Sequence, residues 1–340
     1  MPRDPASTAP TLEEVAALAG VSRSTVSRVV NRSPHVTDEA VLAVEEAIGR
    51  LGYVPNRAAR SLASRKTHVV ALVVPESTAK VFADPFFASV VQGIALYLAD
   101  TDYTLNLLIA SETDSNKIKR YLLGGNVDGA LVVSHHSGDH SFANIGQSLP
   151  VVFGGRPLLE DIVDSYYVDV DNAGGARAVT QHLIESGRRR IATITGPLDM
   201  PPGVDRLSGW LSAVRGADLP DDLIEQADFT LAEATAAMRR ILDRDPDVDA
   251  VFAASDQMAA GALTALRERG RRVPEDVAVA GFDGDYFSET SSPPLTTISQ
   301  PATELGAKMA EVLVELMAGR EVRRVTMMPT ELVVRASTGS

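Results

Sequence analysis

Residues able to do chemistry fall into two groups in this chain of 340 residues. The first is a polar stripe. Arg23, Ser24, Ser27 and Arg28, with Thr25 at its edge, lie on one face of a short helical stretch whose other face is Val26, Val29 and Val30. Two guanidiniums among hydroxyls, with no Glu between them, suit phosphates and base edges better than the mixed charge of a solvated surface. The second group sits where apolar runs stop. Arg206 enters a helix after one such run, Asp283 ends another, and Ser255 with Asp256 marks a third junction. Phe229 stands alone in "QADFT", and Phe86 and Phe87 open a helix in "ADPFF". An Arg and an Asp converging with an aromatic ring suits a sugar, because charged groups take hydroxyls in forked hydrogen bonds while the ring stacks on C–H bonds.

The elements that position the first group are short and sharply punctuated. Thr11 and Glu14 form a capping box ahead of an apolar face of Leu12, Val15, Ala16 and Leu18, and Gly20 ends that helix. Ser22 caps the helix with the polar stripe. Thr37, with Asp38 and Glu39 behind it, opens a third helix that runs to about Leu51 and stops at Gly52. Helix, three-residue turn and helix make a helix-turn-helix. Residues 1–66 hold nine basic against seven acidic residues, and the remainder holds 23 against 38. The net charge of −13 is therefore carried by the rest of the chain, and a DNA-reading head remains compatible with an acidic protein.

After Lys66 the pattern changes to β-branched runs alternating with amphipathic stretches. Residues 68–74, 103–110, 129–133, 150–155, 190–196, 249–255 and 276–283 read as buried parallel strands. Residues 85–100, 172–186, 232–242, 256–270 and 302–316 read as helices between them. Such alternation predicts parallel sheets wrapped by helices, and the length suits two α/β lobes. Ligands then bind beyond the carboxyl ends of the strands, where the second group of residues sits. Two other readings stay open at this point: an ion pair between lobes for Arg206 and Asp283, and core packing for Phe229 and Phe87.

The runs "VSRSTVSRVVN" and "GYVPNRAARSLAS" resemble the LacI/GalR family of bacterial transcriptional regulators, and the resemblance extends over essentially the whole chain. It implies an α/β protein with an N-terminal all-α helix-turn-helix head at 1–54, a hinge helix and linker at 55–66, and a periplasmic-binding-protein-like body at 67–340. The body would form two Rossmann-like lobes, about 67–170 plus 300–330, and 171–299. By position Arg23, Ser24 and Arg28 would meet base edges, while Thr11, Ser22, Thr25, Ser27, Asn31, His35, Tyr53 and Asn56 would touch the DNA backbone. The nine residues from Pro55 to Ala63 are too few to hold a helix unaided, so the hinge would fold on DNA, with Arg60 and Leu62 in the minor groove and Leu62 as a wedge. The effector contacts implied are Phe86, Arg206, Phe229, Ser255, Asp283 and Gln300. Many relatives have Asn-Asp where this chain has Ser255-Asp256, which puts that contact in doubt.

Absences narrow the function further. The chain has no Cys, hence no disulfide framework, and no run long enough to span a membrane; its start "MPRDPASTAP" is no signal peptide. His135 and His136 with His140 nearby could suggest a metal, but a polar loop at a cleft mouth is the better reading. "TGPLDM" and "DNAGGAR" lack the phosphate-loop and dinucleotide fingerprints, and no nucleophile stands beside a base. With these absences, the resemblance implies a cytoplasmic, cofactor-free non-enzyme: a homodimeric repressor of a carbohydrate operon, released from a near-palindromic double-stranded operator by a small molecule, a sugar or oligosaccharide. A nucleobase or phosphoprotein corepressor is the alternative. An exported solute-binding protein and a Rossmann-scaffold enzyme are more distant ones.

Overall fold

The computed structural model describes residues 10–30, 33, 35–54, 66–109, 115–137, 145–146, 148–157 and 165–339. The expected DNA contacts Asn31 and Asn56 and the expected hinge residues Arg60 and Leu62 lie outside the described residues, as does His140. The chain divides into two compact units, Met1–Thr67 and His68–Ser340.

The first unit holds α1 (Leu12–Ala19), α2 (Arg23–Val30) and α3 (Asp38–Leu51). Its start and stop signals work as the sequence implies. Thr11 Oγ1 accepts the Glu14 N–H at 3.2 Å while the Glu14 carboxylate accepts the Thr11 N–H at 2.7 Å. Gly20 and Gly52 take the left-handed backbone, at φ 68° and 64°, that closes α1 and α3. Val15, Ala16, Val26, Val44, Ala47 and Tyr53 form a small core.

The second unit is built on two six-stranded sheets. The first lobe contains β1 (Val69–Val74), β2 (Thr104–Ile109), β3 (Gly129–Val133), β4 (Val151–Gly154) and β5 (Tyr166–Val170), with β11 (Val325–Met328) beside β5. The second contains β6 (Ile191–Thr195), β7 (Ile224–Gln226), β8 (Ala250–Ala253), β9 (Ala278–Asp283) and β10 (Thr296–Ser299), with β12 (Glu331–Val333) at its edge. All pairings are parallel except β10 with β12. Central strands such as β1, β3 and β8 are buried on both faces, which is why they read as unbroken apolar runs.

Helices flank each sheet. The first lobe has α4 (Thr78–Ala83), α5 (Pro85–Leu98) and α6 (Ser115–Leu123). The second has α7 (Asn172–Glu185), α8 (Pro201–Gly216), α9 (Leu231–Arg244), α10 (Asp256–Glu268) and α11 (Tyr286–Thr290). Helix α12 (Ala302–Met317) returns to the first lobe, packing on α5 and β4. The chain therefore crosses between the sheets three times, at β5–α7, β10–α12 and β11–β12.

Residues 331–338 finish the second lobe. Ser337 Oγ donates to the Val279 carbonyl at 2.6 Å and accepts the Thr296 N–H at 2.8 Å, so one hydroxyl ties β9 to β10. Thr338 Oγ1 pairs with Thr296 Oγ1 at 2.8 Å and with His182 Nε2 at 2.9 Å.

Candidate functional site

In the head, α2 carries Ser22, Arg23, Ser24 and Arg28 into solvent while Val26 seals its inner face. Thr25 and Ser27 flank this face, half-buried. Ser22 Oγ accepts the Thr25 N–H at 3.1 Å and lies 2.9 Å from Thr25 Oγ1, so one hydroxyl both caps the helix and orders the polar edge. Arg23 reaches Glu13 at 3.1 Å, an exposed pair worth less than about 1 kcal/mol and easily exchanged for an anionic partner. Thr11 and His35 are exposed. Tyr53 is buried and packs in the head's core.

In the body, residues of both lobes line a hollow beyond the carboxyl ends of their strands. A chain of side chains crosses its floor. Asp169, at the end of β5, accepts Asn172 Nδ2 at 3.0 Å; Asn172 Oδ1 accepts Arg206 Nε at 2.9 Å. Arg206 on α8 donates to the Ala254 carbonyl at 2.5 Å and to Asp283 Oδ1 at 3.2 Å, and its guanidinium lies 3.7 Å from the Phe282 ring centroid. Gln300 Nε2 completes the chain by donating to Asp283 Oδ1 at 2.6 Å. The Arg206–Asp283 ion pair is real but lies within the second lobe, so it is not the interlobe bridge that one reading of the sequence allowed.

The walls are aromatic. Phe86 and Phe87 meet edge to face at 5.6 Å, and Phe229 faces them from the other lobe with Lys80 Nζ 5.9 Å from its centroid. A Cβ on Gly196 would lie 2.1 Å from Phe229 Cζ, so the glycine is what lets this ring settle. Three lining residues other than glycine hold positive φ: Ser134 at 60°, Phe229 at 66° and Asp283 at 112°. Such backbone costs about 1–3 kcal/mol each and clusters at ligand sites, where the surroundings over-determine it.

Burial pushes Asp283 well above the usual carboxylate range, against the pull of Arg206, and pushes Asp84 and Asp169 upward as well. At the cleft mouth His136 Nδ1 lies 2.9 Å from Asp199 of the second lobe and its Nε2 lies 3.3 Å from Glu76 of the first. Hydrogen bonding to Glu76, then to Asp199, raises the His136 imidazolium above its ordinary range. The Ser137 N–H donates to the Asp199 carbonyl at 2.8 Å, and Arg156 donates to Asp205 at 2.7 Å, so three contacts hold the lobes together there. Among the described residues no His, Asp and Glu cluster could hold a metal.

Of the effector residues expected from sequence, Phe86, Arg206, Phe229, Asp283 and Gln300 line the hollow together. Ser255 does not. Its hydroxyl accepts the Met258 N–H at 3.1 Å as the cap of α10, which corrects the expectation: a helix start needed that oxygen. Its neighbour Asp256 is also spent on structure, accepting the Gly284 and Asp285 N–H groups, and burial raises it to about 8. Sequence reasoning missed Lys80, Asp84, Asp169 and Asn172. Asp169 and Asn172 flank the end of β5, a short strand whose pattern Asp169 itself interrupts, and Lys80 sits inside a helix, so none of the three carried a sequence signal.

Residues 11–56 match the model of bacterial regulatory proteins of the lacI family, and residues 180–338 match a periplasmic binding protein-like domain. The transcriptional regulator CelR of Thermobifida fusca is 48% identical over 96% of this chain and 98% of its own length. The ribose operon repressor of Escherichia coli K12 is 35% identical over 89% of this chain and 92% of its own. Among solved structures, the CelR–cellobiose complex superposes with a TM-score of 0.77 at 46% identity, covering 96% of this chain and 99% of that one. The lac repressor dimer bound to operator and an anti-inducer superposes at 0.87 with 27% identity, covering 98% and 100%. No helix among the described residues is long and apolar enough to cross a membrane. The chain belongs to the LacI family of bacterial transcriptional regulators, DNA-binding proteins that join a helix-turn-helix head to an effector-binding body.

Proposed function

We propose that this protein is a cytoplasmic, non-enzymatic repressor of a carbohydrate-utilisation operon, released from its operator when a β-linked glucoside such as cellobiose enters the body. One observation carries the reading: the Asp169–Asn172–Arg206–Asp283–Gln300 chain on the floor of the hollow, faced by the Phe86 and Phe229 rings. Forked polar groups beneath opposed aromatic faces form a site for a ring that is hydroxylated at its edge and apolar on its faces. The 48% identity to CelR of Thermobifida fusca, and the 46% identity to the CelR solved in complex with cellobiose, support the same class of effector.

In this reading residues 1–54 are the head, 55–66 the hinge and linker, and 67–340 the effector-binding and dimerisation unit. Two copies place two heads on a near-palindromic site. Arg23, Ser24 and Arg28 reach base edges, Thr11, Ser22, Thr25, Ser27 and His35 position the head on phosphates, and Leu62 wedges the minor groove. Phe86, Arg206, Phe229, Asp283 and Gln300 hold the effector. The sugar acts only through its differential affinity for the two lobe arrangements. A gel-shift titration on the DNA upstream of the chain's own operon tests this. Cellobiose-reversible binding is expected, and binding that no glucoside reverses would overturn the effector.

A further inference from the structure

Among the described residues, the Lys and the Arg that line the hollow are both already committed. Lys80 Nζ donates to Glu76 at 2.9 Å, and Arg206 is held by Asn172, the Ala254 carbonyl and Asp283. The carboxylates outnumber them. Asp84 caps α5 through Oδ1, taking the Phe86 N–H at 2.9 Å, and among the described residues no Lys or Arg makes an ion pair with it. Among the described residues Asp169 takes amide donors alone, namely the Arg156 and Val170 N–H groups and Asn172 Nδ2. The groove that continues from the hollow past Phe86 and Gln300 adds Asp285, Glu304 and Glu331, and no Lys or Arg among its described residues.

We infer that this site admits an uncharged sugar and rejects the phosphorylated form of the same sugar, with Asp84 as a specificity-determining residue. The inference rests on the sugar reading above. A phosphate group would need a free guanidinium, ammonium or run of amide N–H groups to replace its hydration. What it meets is two cations already paired and several carboxylates. The same carboxylates accept sugar hydroxyls, so the feature that favours a neutral polyol is the one that repels an anion. Burial already lifts Asp84, Asp169 and Asp283, so a further negative charge would enter surroundings that resist the ones present. One unit charge about 6 Å from a carboxylate at an effective dielectric near 20 corresponds to roughly 100-fold in affinity.

The test is calorimetric titration of the full-length chain with cellobiose and with cellobiose 6′-phosphate, at pH 7.5 and two salt concentrations, repeated for Asp84→Asn. Asn keeps the oxygen that caps α5, so the variant folds. The expected result is binding of cellobiose, at least about 100-fold weaker binding of the phosphate, and a gap that closes by up to about 100-fold in Asp84→Asn and narrows with salt in the unsubstituted chain. Phosphate ester binding as well as the free sugar overturns the charge selection while leaving the sugar effector standing. An unchanged gap in Asp84→Asn overturns the role of Asp84. Binding of neither ligand overturns the sugar reading, and this inference with it.

Discussion

Arg206→Ala separates sensing from DNA reading, and its cost can be worked from the contacts it removes. The guanidinium is buried and holds Asn172, the Ala254 carbonyl and Asp283 while its Cζ lies 3.7 Å from the Phe282 ring centroid. Alanine takes this donor away from the Ala254 carbonyl and Asn172 Oδ1 and leaves Asp283 with Gln300 but no cation. Breaking a buried pair from one side costs about 3–5 kcal/mol. The lower end applies here, because burial already pushes Asp283 towards its neutral form, which needs no cation. At about 2–4 °C per kcal/mol for a body of this size, unfolding should fall by roughly 6–12 °C. That leaves a folded body at 25 °C if the unit holds a typical 5–15 kcal/mol. Fluorescence anisotropy on an operator duplex should then show near-normal binding that cellobiose no longer reverses. Arg206→Lys, which keeps the charge but loses the fork, should fall between the two proteins in melting and also fail to respond. A melting shift below about 2 °C would refute the claim that this residue organises the cleft floor. A variant that still releases DNA with sugar would refute its place in the effector site.

Three further outcomes follow from the geometry. The His136 bridge between lobes requires the imidazolium, whose folded pKa is raised; its contribution is therefore complete below the ordinary value of 6.5 and is lost as pH rises through the raised value. Cellobiose affinity should weaken about two- to fivefold across that window, and calorimetry on His136→Leu should give a flat profile. Phe229→Ala opens a void beside Gly196 and removes a stacking face, so sugar binding should be abolished and the body destabilised by about 3–4 kcal/mol in chemical unfolding. Arg28→Ala should reduce the preference for operator over random duplex by about 1–3 kcal/mol in competition binding while leaving the melting temperature unchanged, since Arg28 is exposed and outside the head's core.

What could be read from sequence followed burial and spacing. The head was legible to the residue because Thr11, Glu14, Gly20, Thr37 and Gly52 each perform a local act of capping or stopping that needs no distant partner. Central strands were legible because burial on both faces leaves an unbroken apolar run. Strands β5, β7, β10 and β11 were not: they are three to five residues long, and Asp169, Glu225, Thr296 and Thr297 interrupt their apolar pattern. Their pairing is decided by neighbours far along the chain. The cleft shows the same division. Arg206, Asp283 and Phe229 announced themselves as odd residues at strand ends. Asp169 and Asn172 became visible only through what they hold, since their partners come from three separate segments. Ser255 misled because the same serine at a strand-to-helix junction serves a cap as readily as a ligand.

The closing role of residues 325–338 sets an order on how the protein comes into being. Strand β11 covers the free edge of β5 and β12 that of β10, while Ser337 and Thr338 clasp the second sheet. During synthesis the helix-turn-helix can fold once residue 54 has emerged, but both sheets stay open-edged for about 270 residues more, roughly 15–55 s at 5–20 residues per second. A message cut short before residue 325 would therefore yield a finished head on a body with two bare strand edges, prone to aggregation and proteolysis. Neither lobe can be transplanted as one continuous gene segment, and exchanging effector specificity between relatives requires swapping the pocket residues or the whole body.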